Sequence, residues 1–274
     1  MKYSKPTVTE RILEIISLLT AMCPLVLICA LVLWLLQSLG GDQSIHRYGS
    51  LPADLSQSIG PSFQTSITLA ILALGVAIPI GVGTAVYLVE LASPTRFTNV
   101  LESALFNLAG VPSILSGLAS LVILTGELHI PTGIWMSSTT LAMVALPVIT
   151  LSSVQALRSI PDGVREAALG LGASPWDAAR LVVLPLALPS IITGIILALG
   201  RVLGEAAALL VLFGATISTN DYAPALPVRI YDWLALGEAN SIGRAGTAVA
   251  LLLICVAAIN GTASAVRSKY RELR

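Results

Sequence analysis

The sequence predicts an all-α integral membrane protein with six transmembrane helices, organised as a single transmembrane domain over residues 1–274. Two observations lead to this fold class. The chain is 55% hydrophobic and only 11% charged, whereas a soluble domain carries roughly 25% charged residues. Six stretches are also nearly free of charge over the roughly 20 residues that a helix needs to cross a bilayer. We therefore expect membrane lipid to be the solvent of most of this chain.

The six apolar stretches follow one another along almost the whole sequence. The first is an N-terminal helix, and the other five form a core from about residue 65 to residue 266. Several contain Pro, Gly, Ser or Thr, which membrane helices tolerate better than soluble ones do. The predicted spans are Ile15–Leu36, Thr65–Val89, Ser103–Thr125, Ile130–Leu157, Leu186–Phe213 and Ala245–Val266.

The distribution of Lys and Arg predicts the orientation. Six spans place both termini on one side of the membrane, and that side collects eleven basic residues against three on the other. Cytoplasmic loops are enriched in Lys and Arg, so both termini are expected in the cytoplasm. The two sets are Lys2, Lys5, Arg11, Arg96, Arg158, Arg165, Arg180, Arg267, Lys269, Arg271 and Arg274 inside, and Arg47, Arg229 and Arg244 outside.

The composition also excludes several function classes. The net charge is zero at pH 7, so no nucleic-acid partner is expected. The three cysteines lie in apolar stretches and the two histidines have no ligand-spaced partner, so neither a metal site nor a cofactor is predicted. A phosphate-binding loop needs Gly-Lys-Ser or Gly-Lys-Thr, and none of the three lysines follows a glycine. We therefore expect no catalytic residues and no ATP hydrolysis by this chain.

The cytoplasmic loop between the fourth and fifth spans, residues 158–185, is the most informative segment, and we call it the elbow. It contains two helix starts, each a Ser followed three residues later by Asp, the pattern of a capping box. Gly170 and Gly172 between them predict a helix end and a sharp turn. The two starts are Ser159 with Asp162, and Ser174 with Asp177, the second with Pro175 at the first helical position.

The same segment carries a spaced motif. Glu166-Ala167-Ala168 is followed after three residues by Gly172, and nine residues later by Val182, one residue and Leu184-Pro185. This pattern resembles the EAA loop of ABC importer permeases, with Val in place of the usual Ile. The resemblance implies a type I importer permease, MetI-like in fold, whose elbow sits in a groove of a separate ATPase. It implies coupling to that ATPase through Glu166, Ala167, Ala168, Gly172, Leu184 and Pro185.

Two charges interrupt the fifth span. Arg201 and Glu205 are four residues apart, which places them on one face of a helix. A charge within the membrane costs at least roughly 2.5 kcal/mol, so it is usually functional. One interpretation is that Arg201 lines a path for an anion and Glu205 positions or gates it. The other is a self-neutralising pair that only orients the helix, and the sequence leaves both open.

Residues 201–210 are similar to the R-x-x-G-E-T-A-P-L-L segment of PstA-type permeases of the phosphate-specific transport family. Ala206 and Ala208 replace the Thr and Pro of that pattern, and Leu151-Ser152-Ser153 stands where the family often has Arg before two Thr. Further segments that resemble the family are Gly110–Ile114, Ala77–Gly81, Tyr87–Glu90 and Ile230–Trp233.

The resemblance implies a permease subunit for inorganic phosphate in the bacterial plasma (inner) membrane, working by alternating access. The alternative substrates are other oxyanions: sulfate, molybdate or tungstate. The implied partners are a PstC-type sister permease, two copies of a PstB-type ATPase subunit and an extracytoplasmic phosphate-binding protein. The implied substrate path contains Arg201, Glu205 and Ser113.

Two other classes make different predictions. A membrane-embedded enzyme would cluster paired Asp, Ser with Lys, or His motifs at one membrane face. A proton-coupled transporter would carry several intramembrane carboxylates and an inverted repeat. The sequence has one intramembrane glutamate and no recognisable repeat, so the importer permease is favoured over both.

Overall fold

The computed structural model describes residues 53–93, 95–129, 133–214 and 223–271. Regular structure in these ranges is helical throughout, in agreement with the predicted fold class. The first predicted span, Ile15–Leu36, lies outside the described residues. The helices are α1 (Ala53–Val86), α2 (Arg96–Ala109), α3 (Ser113–Ser120), α4 (Ile134–Arg158), α5 (Asp162–Gly170), α6 (Pro175–Asp177), α7 (Leu184–Leu203), α8 (Ala207–Gly214), α9 (Leu226–Leu236) and α10 (Ala239–Arg271).

Three π-helical turns extend these helices. Tyr87–Leu91 continues α1, Leu121–Glu127 continues α3, and Ala178–Val183 joins α6 to α7. A π-helical turn adds one residue per turn and so changes which side chains face a neighbour. In this protein the turn at the end of α1 contains Glu90, whose partner is described below.

Four continuous segments among the described residues are long and apolar enough to cross a membrane. They correspond to the second, fourth, fifth and sixth predicted spans. The largest difference is at the start of the fifth span, which was predicted at Leu186 and lies 11 residues earlier, at Pro175. The segments are Ile59–Leu91, Ile134–Arg158, Pro175–Leu203 and Ser241–Ala263.

The third predicted span, Ser103–Thr125, is wrong as a single helix. The chain instead forms two helices, Arg96–Ala109 and Ser113–Glu127, which meet at 105°. Together they form either one broken span or a re-entrant loop. Gly110 ends the first helix, and Pro112 precedes the second in an extended conformation. Proline lacks an N–H and disfavours helix in the residue before it, so the break falls at this position.

The fifth predicted span also breaks, between Leu203 and Ala207. Its second part, α8, packs against α3. A Cβ added to Gly117 of α3 would lie 2.6 Å from the carbonyl oxygen of Ala208. Only glycine permits such an approach between the two backbones, so the two broken spans are joined by a contact between their short halves.

Helix α4 lies at the centre of the described fold. Within its membrane-length window 67% of the residues are buried, against 11% in the window of Ser241–Ala263. Helix α1 packs along it and α7 along another side, while α10 packs on α7 and α9 on α10. Gly194 of α7 lies directly against Ser152 of α4. The largest buried side chains in this core include Leu69, Met136, Leu141, Ile149 and Leu209.

Candidate functional site: the elbow and the cavity at Arg201

The first helix of the elbow begins without the predicted serine cap. Pro161 is the N-cap residue of α5, and no side chain caps this helix. The Ser159 hydroxyl donates to the Ala156 carbonyl oxygen at 2.7 Å instead. Ser159 is the residue that ends α4, and only Ile160 and Pro161 separate it from α5. The capping box predicted at Ser159 and Asp162 is therefore wrong.

The turn after α5 is set by hydrogen bonds of a Schellman motif. The Ala173 N–H donates to Ala168 at 3.2 Å, and the Gly172 N–H donates to Leu169 at 2.9 Å, which are the two bonds that define this helix end. Gly172 has φ +91°, a left-handed conformation that other residues rarely adopt. The predicted glycine turn is confirmed, and position 172 is where its left-handed backbone favours glycine.

The second helix start is confirmed as predicted. Ser174 precedes Pro175, and its hydroxyl oxygen accepts from the Asp177 N–H at 3.2 Å. The same hydroxyl donates to the Asp177 carboxylate at 2.5 Å. The cap therefore fixes the direction in which the chain leaves the turn toward α7.

The elbow exposes three large apolar side chains. Leu169 is 46%, Leu171 90% and Trp176 51% exposed, and we call these three residues the apolar elbow face. Of the motif residues, Glu166, Ala167, Gly172 and Pro185 are exposed, Leu184 is half-buried and Ala168 is buried. Because the sequence predicts that the elbow lies outside the membrane, an exposed apolar patch at this position would mark an interaction surface.

The inner side of the elbow is held by Arg165. Its Nε and Nη2 donate to the Glu90 carboxylate at 3.0 and 2.9 Å. Its Nη1 donates to the Ile160 carbonyl oxygen at 2.7 Å and to Asp162 at 3.1 Å, and Nη2 also donates to Leu157 at 2.8 Å. All five guanidinium N–H groups thus have acceptors. The Glu90 hydrogen bonds raise the pKa of Arg165 above its ordinary value.

A second ion pair lies nearby but is more exposed. Arg158, at the end of α4, donates to both carboxylate oxygens of Glu102 in α2 at 2.7 and 2.9 Å. The Arg158 side chain is 52% exposed, against 18% for Arg165. Exposed pairs contribute little to stability because water and salt screen them.

A cavity of about 460 Å³ opens at the α2–α3 break. Arg201, in the last turn of α7, is the one charged residue among the described residues that line it. Ser116 lines the cavity and Ser113 does not, because the wall contributed by α3 begins at Leu115 and not at its first residue. The other lining residues come from α2, α3, α4 and the α2–α3 break, and include Leu108, Val111, Leu115, Met143 and Pro147.

Arg201 and Glu205 do not lie on one helix. Helix α7 ends at Leu203, and Glu205 is 9% exposed and accepts the Ala208 N–H at 3.2 Å. A carboxylate at this position satisfies a free N–H of α8 and interacts favourably with its helix dipole. Among the described residues no ion pair joins Arg201 to Glu205, so the self-neutralising pair is not formed in this structure.

Residues 77–267 match the family model described as "Binding-protein-dependent transport system inner membrane component". The chain belongs to this family. The match contains α4, the elbow and both broken spans, so the permease identified from the elbow motif is confirmed.

Individual relatives agree over nearly the whole permease. This chain is 34% identical over 266 residues to "Phosphate transport system permease protein PstA" of Mycobacterium leprae. The alignment covers 92% of this chain and 85% of the relative. The chain is 32% identical over 259 residues to "Phosphate transport system permease protein PstA 1" of Mycobacterium tuberculosis H37Rv, covering 92% and 84%. A PstC permease of Mesorhizobium japonicum is 33% identical over 62% of this chain and 60% of its own.

Solved structures support the type I importer fold. A chain of the MetNI methionine ABC transporter in an inward-facing conformation superposes with TM-score 0.61 at 20% identity, over 78% of this chain and 95% of the other. A chain of a bacterial alginate ABC transporter, in complex with a pentasaccharide-bound periplasmic protein, superposes with TM-score 0.57 at 17% identity over 92% and 94%.

Sequence reasoning found the elbow motif of this permease but missed the side chains that hold it. Arg165 directly precedes the motif, and Glu90 lies 75 residues away at the end of another span. A single carboxylate directly after an apolar stretch was the available signal. It does not identify a partner, because the pairing depends on how α1 packs on α4.

Proposed function

We propose that this permease forms the transmembrane pathway of an ATP-driven importer of inorganic phosphate, and that ATPase subunits dock on its elbow. The observation that carries the coupling proposal is the apolar elbow face beside the left-handed Gly172. Leu171 is 90% exposed, and an apolar side chain so exposed outside the bilayer is stabilised when a partner groove covers it.

The elbow then acts as a lever. Glu166 and Ala167 lie on the exposed side of α5, where a partner can contact them, while buried Ala168 packs inward. Leu184 and Pro185 begin α7, so a displacement of the docked elbow is passed directly to α7. Gly172 keeps the angle between the two halves of the elbow. These six residues are the proposed coupling residues, and helix-in-groove docking is the proposed mode.

Arg201 is the proposed anion contact. It is charged, exposed and without an ion-pair partner among the described residues, and it lines the cavity at the α2–α3 break. Guanidinium groups bind phosphate oxygens through two parallel hydrogen bonds. Ser116 offers a hydroxyl in the same cavity, whereas Glu205 supports the anion path indirectly by capping α8. Ser113 stays a sequence prediction without a cavity contact.

Phosphate is favoured over sulfate, molybdate or tungstate by the names of the PstA relatives reported above. The proposed assembly contains a sister permease, two ATPase subunits and an extracytoplasmic binding protein, in the bacterial inner membrane. The proposed orientation has both termini and the elbow in the cytoplasm, as the distribution of Lys and Arg predicts.

Uptake in reconstituted vesicles tests the substrate. The assembled transporter is placed in proteoliposomes with ATP on the side of the ATPase subunits. Radiolabelled inorganic phosphate and the binding protein are added on the opposite side. We expect ATP-dependent accumulation that excess unlabelled phosphate abolishes and equimolar sulfate or molybdate leaves intact. Competition by sulfate or molybdate at the same concentration as phosphate contradicts the phosphate assignment.

Co-purification tests docking at the elbow. Leu171→Asp places a charge in the apolar elbow face, and we expect the ATPase subunits to be lost from the purified permease. A central apolar contact of an interface typically contributes about 2 kcal/mol or more, which is roughly a 30-fold loss of affinity. Leu236→Asp is the matched control, since Leu236 is 63% exposed in α9 and lies outside the elbow. Equal retention of ATPase by both variants removes the docking proposal.

A further inference from the structure

We propose that Arg165 and Glu90 are positioning residues that couple the span Ile59–Leu91 to movements of the elbow. This inference rests on the proposed function, because it assumes that a docked ATPase moves the elbow. The elbow is covalently connected to two spans, α4 and α7. The proposed coupling makes Ile59–Leu91 a third span that moves with the elbow.

Covalent continuity carries elbow motion to only two spans. Helix α4 enters the elbow through residues 159–161, and α7 leaves it through the π-helical turn Ala178–Val183. The span Ile59–Leu91 ends about 70 residues before the elbow, at Leu91, yet it packs along α4 for much of its length. If the elbow moved only α4 and α7, this span would have to slide against α4.

The Arg165–Glu90 pair prevents that sliding by joining three elements at one guanidinium. One edge of the guanidinium holds the Glu90 carboxylate through Nε and Nη2 at 3.0 and 2.9 Å. The remaining N–H groups bond Leu157 and Ile160, at and just after the C-terminal end of α4, and Asp162 at the start of α5. Helix α6, in the second half of the elbow, also contacts the π-helical end Tyr87–Leu91.

Burial makes this connection rigid. The Arg165 side chain is 18% and the Glu90 side chain 6% exposed, so neither group can exchange its partner for water without moving. A rigid planar fork with five N–H donors cannot be replaced by lysine, whose ammonium holds one flexible point of contact. The Arg158–Glu102 pair, by contrast, is 52% and 23% exposed, so water and salt screen it.

The test measures phosphate transported per ATP hydrolysed, in proteoliposomes that contain the assembled transporter with its binding protein. Glu90→Gln keeps the shape of the side chain and removes the charge that Arg165 binds. The apolar elbow face is unchanged, so ATPase subunits should still co-purify and hydrolyse ATP. We expect the transport per ATP to fall by at least about fivefold, the lower end of typical coupling between sites.

Arg165→Lys keeps the charge but loses most of the five bonds, and we expect an intermediate fall in the same ratio. It also decides the matter if Glu90→Gln does not accumulate in membranes. Glu102→Gln, at the exposed pair, is the matched control and should leave the ratio unchanged.

Two results overturn the inference. An unchanged ratio of phosphate to ATP in Arg165→Lys and Glu90→Gln shows that the pair is not needed for coupling. Loss of the ATPase subunits from both variants shows that the pair only holds the shape of the elbow. Failure of the proposed function is distinguishable from either, since wild-type transporter would then show no ATPase docking or no phosphate uptake.

Discussion

Helices are interrupted both in the elbow and where α3 meets α8, a region that we call the centre of the permease. The two interruptions have different causes. In the elbow the interruption is local: Gly172 adopts a left-handed conformation and Ser174 caps the next helix, within three residues of each other. In the centre the short helices α3 and α8 hold each other through a contact between Gly117 and Ala208, which are 91 positions apart. The first kind of break needs only neighbouring residues, and the second needs the folded protein.

The two regions also use arginine differently. Arg165 in the elbow has an acceptor for each of its five N–H groups and is largely buried. Arg201 in the centre lines a cavity and has no ion-pair partner among the described residues. A fully bonded guanidinium holds structure together, whereas one without a partner is available for an anion.

The largest effect is expected from Arg201→Ala. Hydrogen bonds to charged groups contribute about 1.5–3 kcal/mol, so phosphate uptake should fall by roughly 10- to 150-fold. The melting temperature of the purified permease should stay unchanged, because Arg201 has no ion pair to lose. Glu205→Gln is the control: its amide oxygen can still cap α8, and uptake should be retained. Equal loss in both variants would favour a functional pair over a single anion contact.

A smaller effect is expected from Gly117→Ala. The added Cβ would lie 2.6 Å from the Ala208 carbonyl oxygen and 2.9 Å from its Cα, so α3 and α8 must separate. Overpacking of this kind costs about 1–3 kcal/mol. Gly83→Ala is the matched control, since a Cβ there meets nothing within 4 Å. Thermal unfolding in detergent compares the two, and similar melting temperatures would contradict the tight contact between α3 and α8.

Gly172→Ala tests the local break in the elbow. The site has open space around it, so the expected cost of about 1–2 kcal/mol comes from the left-handed backbone alone. Gly170→Ala has equally open space but no left-handed backbone, and it should be neutral or stabilising. ATPase binding to the two permease variants is the measurement. If both bind alike, the angle of the elbow does not depend on φ at Gly172.

The smallest effect is expected from Ser174→Ala. Loss of an N-cap side chain costs about 1 kcal/mol, and faster hydrogen exchange is expected at the Asp177 amide, which the Ser174 hydroxyl now protects. Ser159→Ala provides the comparison, because the Ser159 hydroxyl bonds back to Ala156 and caps no helix. Faster exchange at the start of α5 in Ser159→Ala would restore the capping box that the sequence predicts there.

The two serine sites show how far local sequence reasoning extends. Both follow the same pattern, Ser with Asp three residues on, yet only Ser174 caps a helix. At Ser174 the preceding turn is already fixed by Gly172, and Pro175 can only begin a helix. At Ser159 the preceding α4 continues up to Arg158, so its hydroxyl lies within reach of a free carbonyl of α4. Whether the serine of such a pattern caps a helix depends here on the segment that precedes it, and the four-residue motif does not include that segment.

The third and fifth spans show a different limit. Hydropathy measures how apolar a segment is and is insensitive to direction, so a broken span scores like a straight one. Gly110 and Pro112 mark a weak point, but the 105° bend also requires partners for the short halves. Those partners come from the contact of α3 with α8, which composition does not indicate.

Composition and local motifs were enough to predict the membrane environment, the approximate positions of the four continuous spans in the described residues, the glycine turn of the elbow and the family motif. All of these depend on composition or on residues within one continuous segment of the chain. The tertiary structure decided which arginine is bonded and which lines a cavity, where two spans break, and that Glu90 meets Arg165. Each of these depends on residues far apart in the chain, because side-chain burial and helix-to-helix approach exist only once α4 is surrounded by its neighbours.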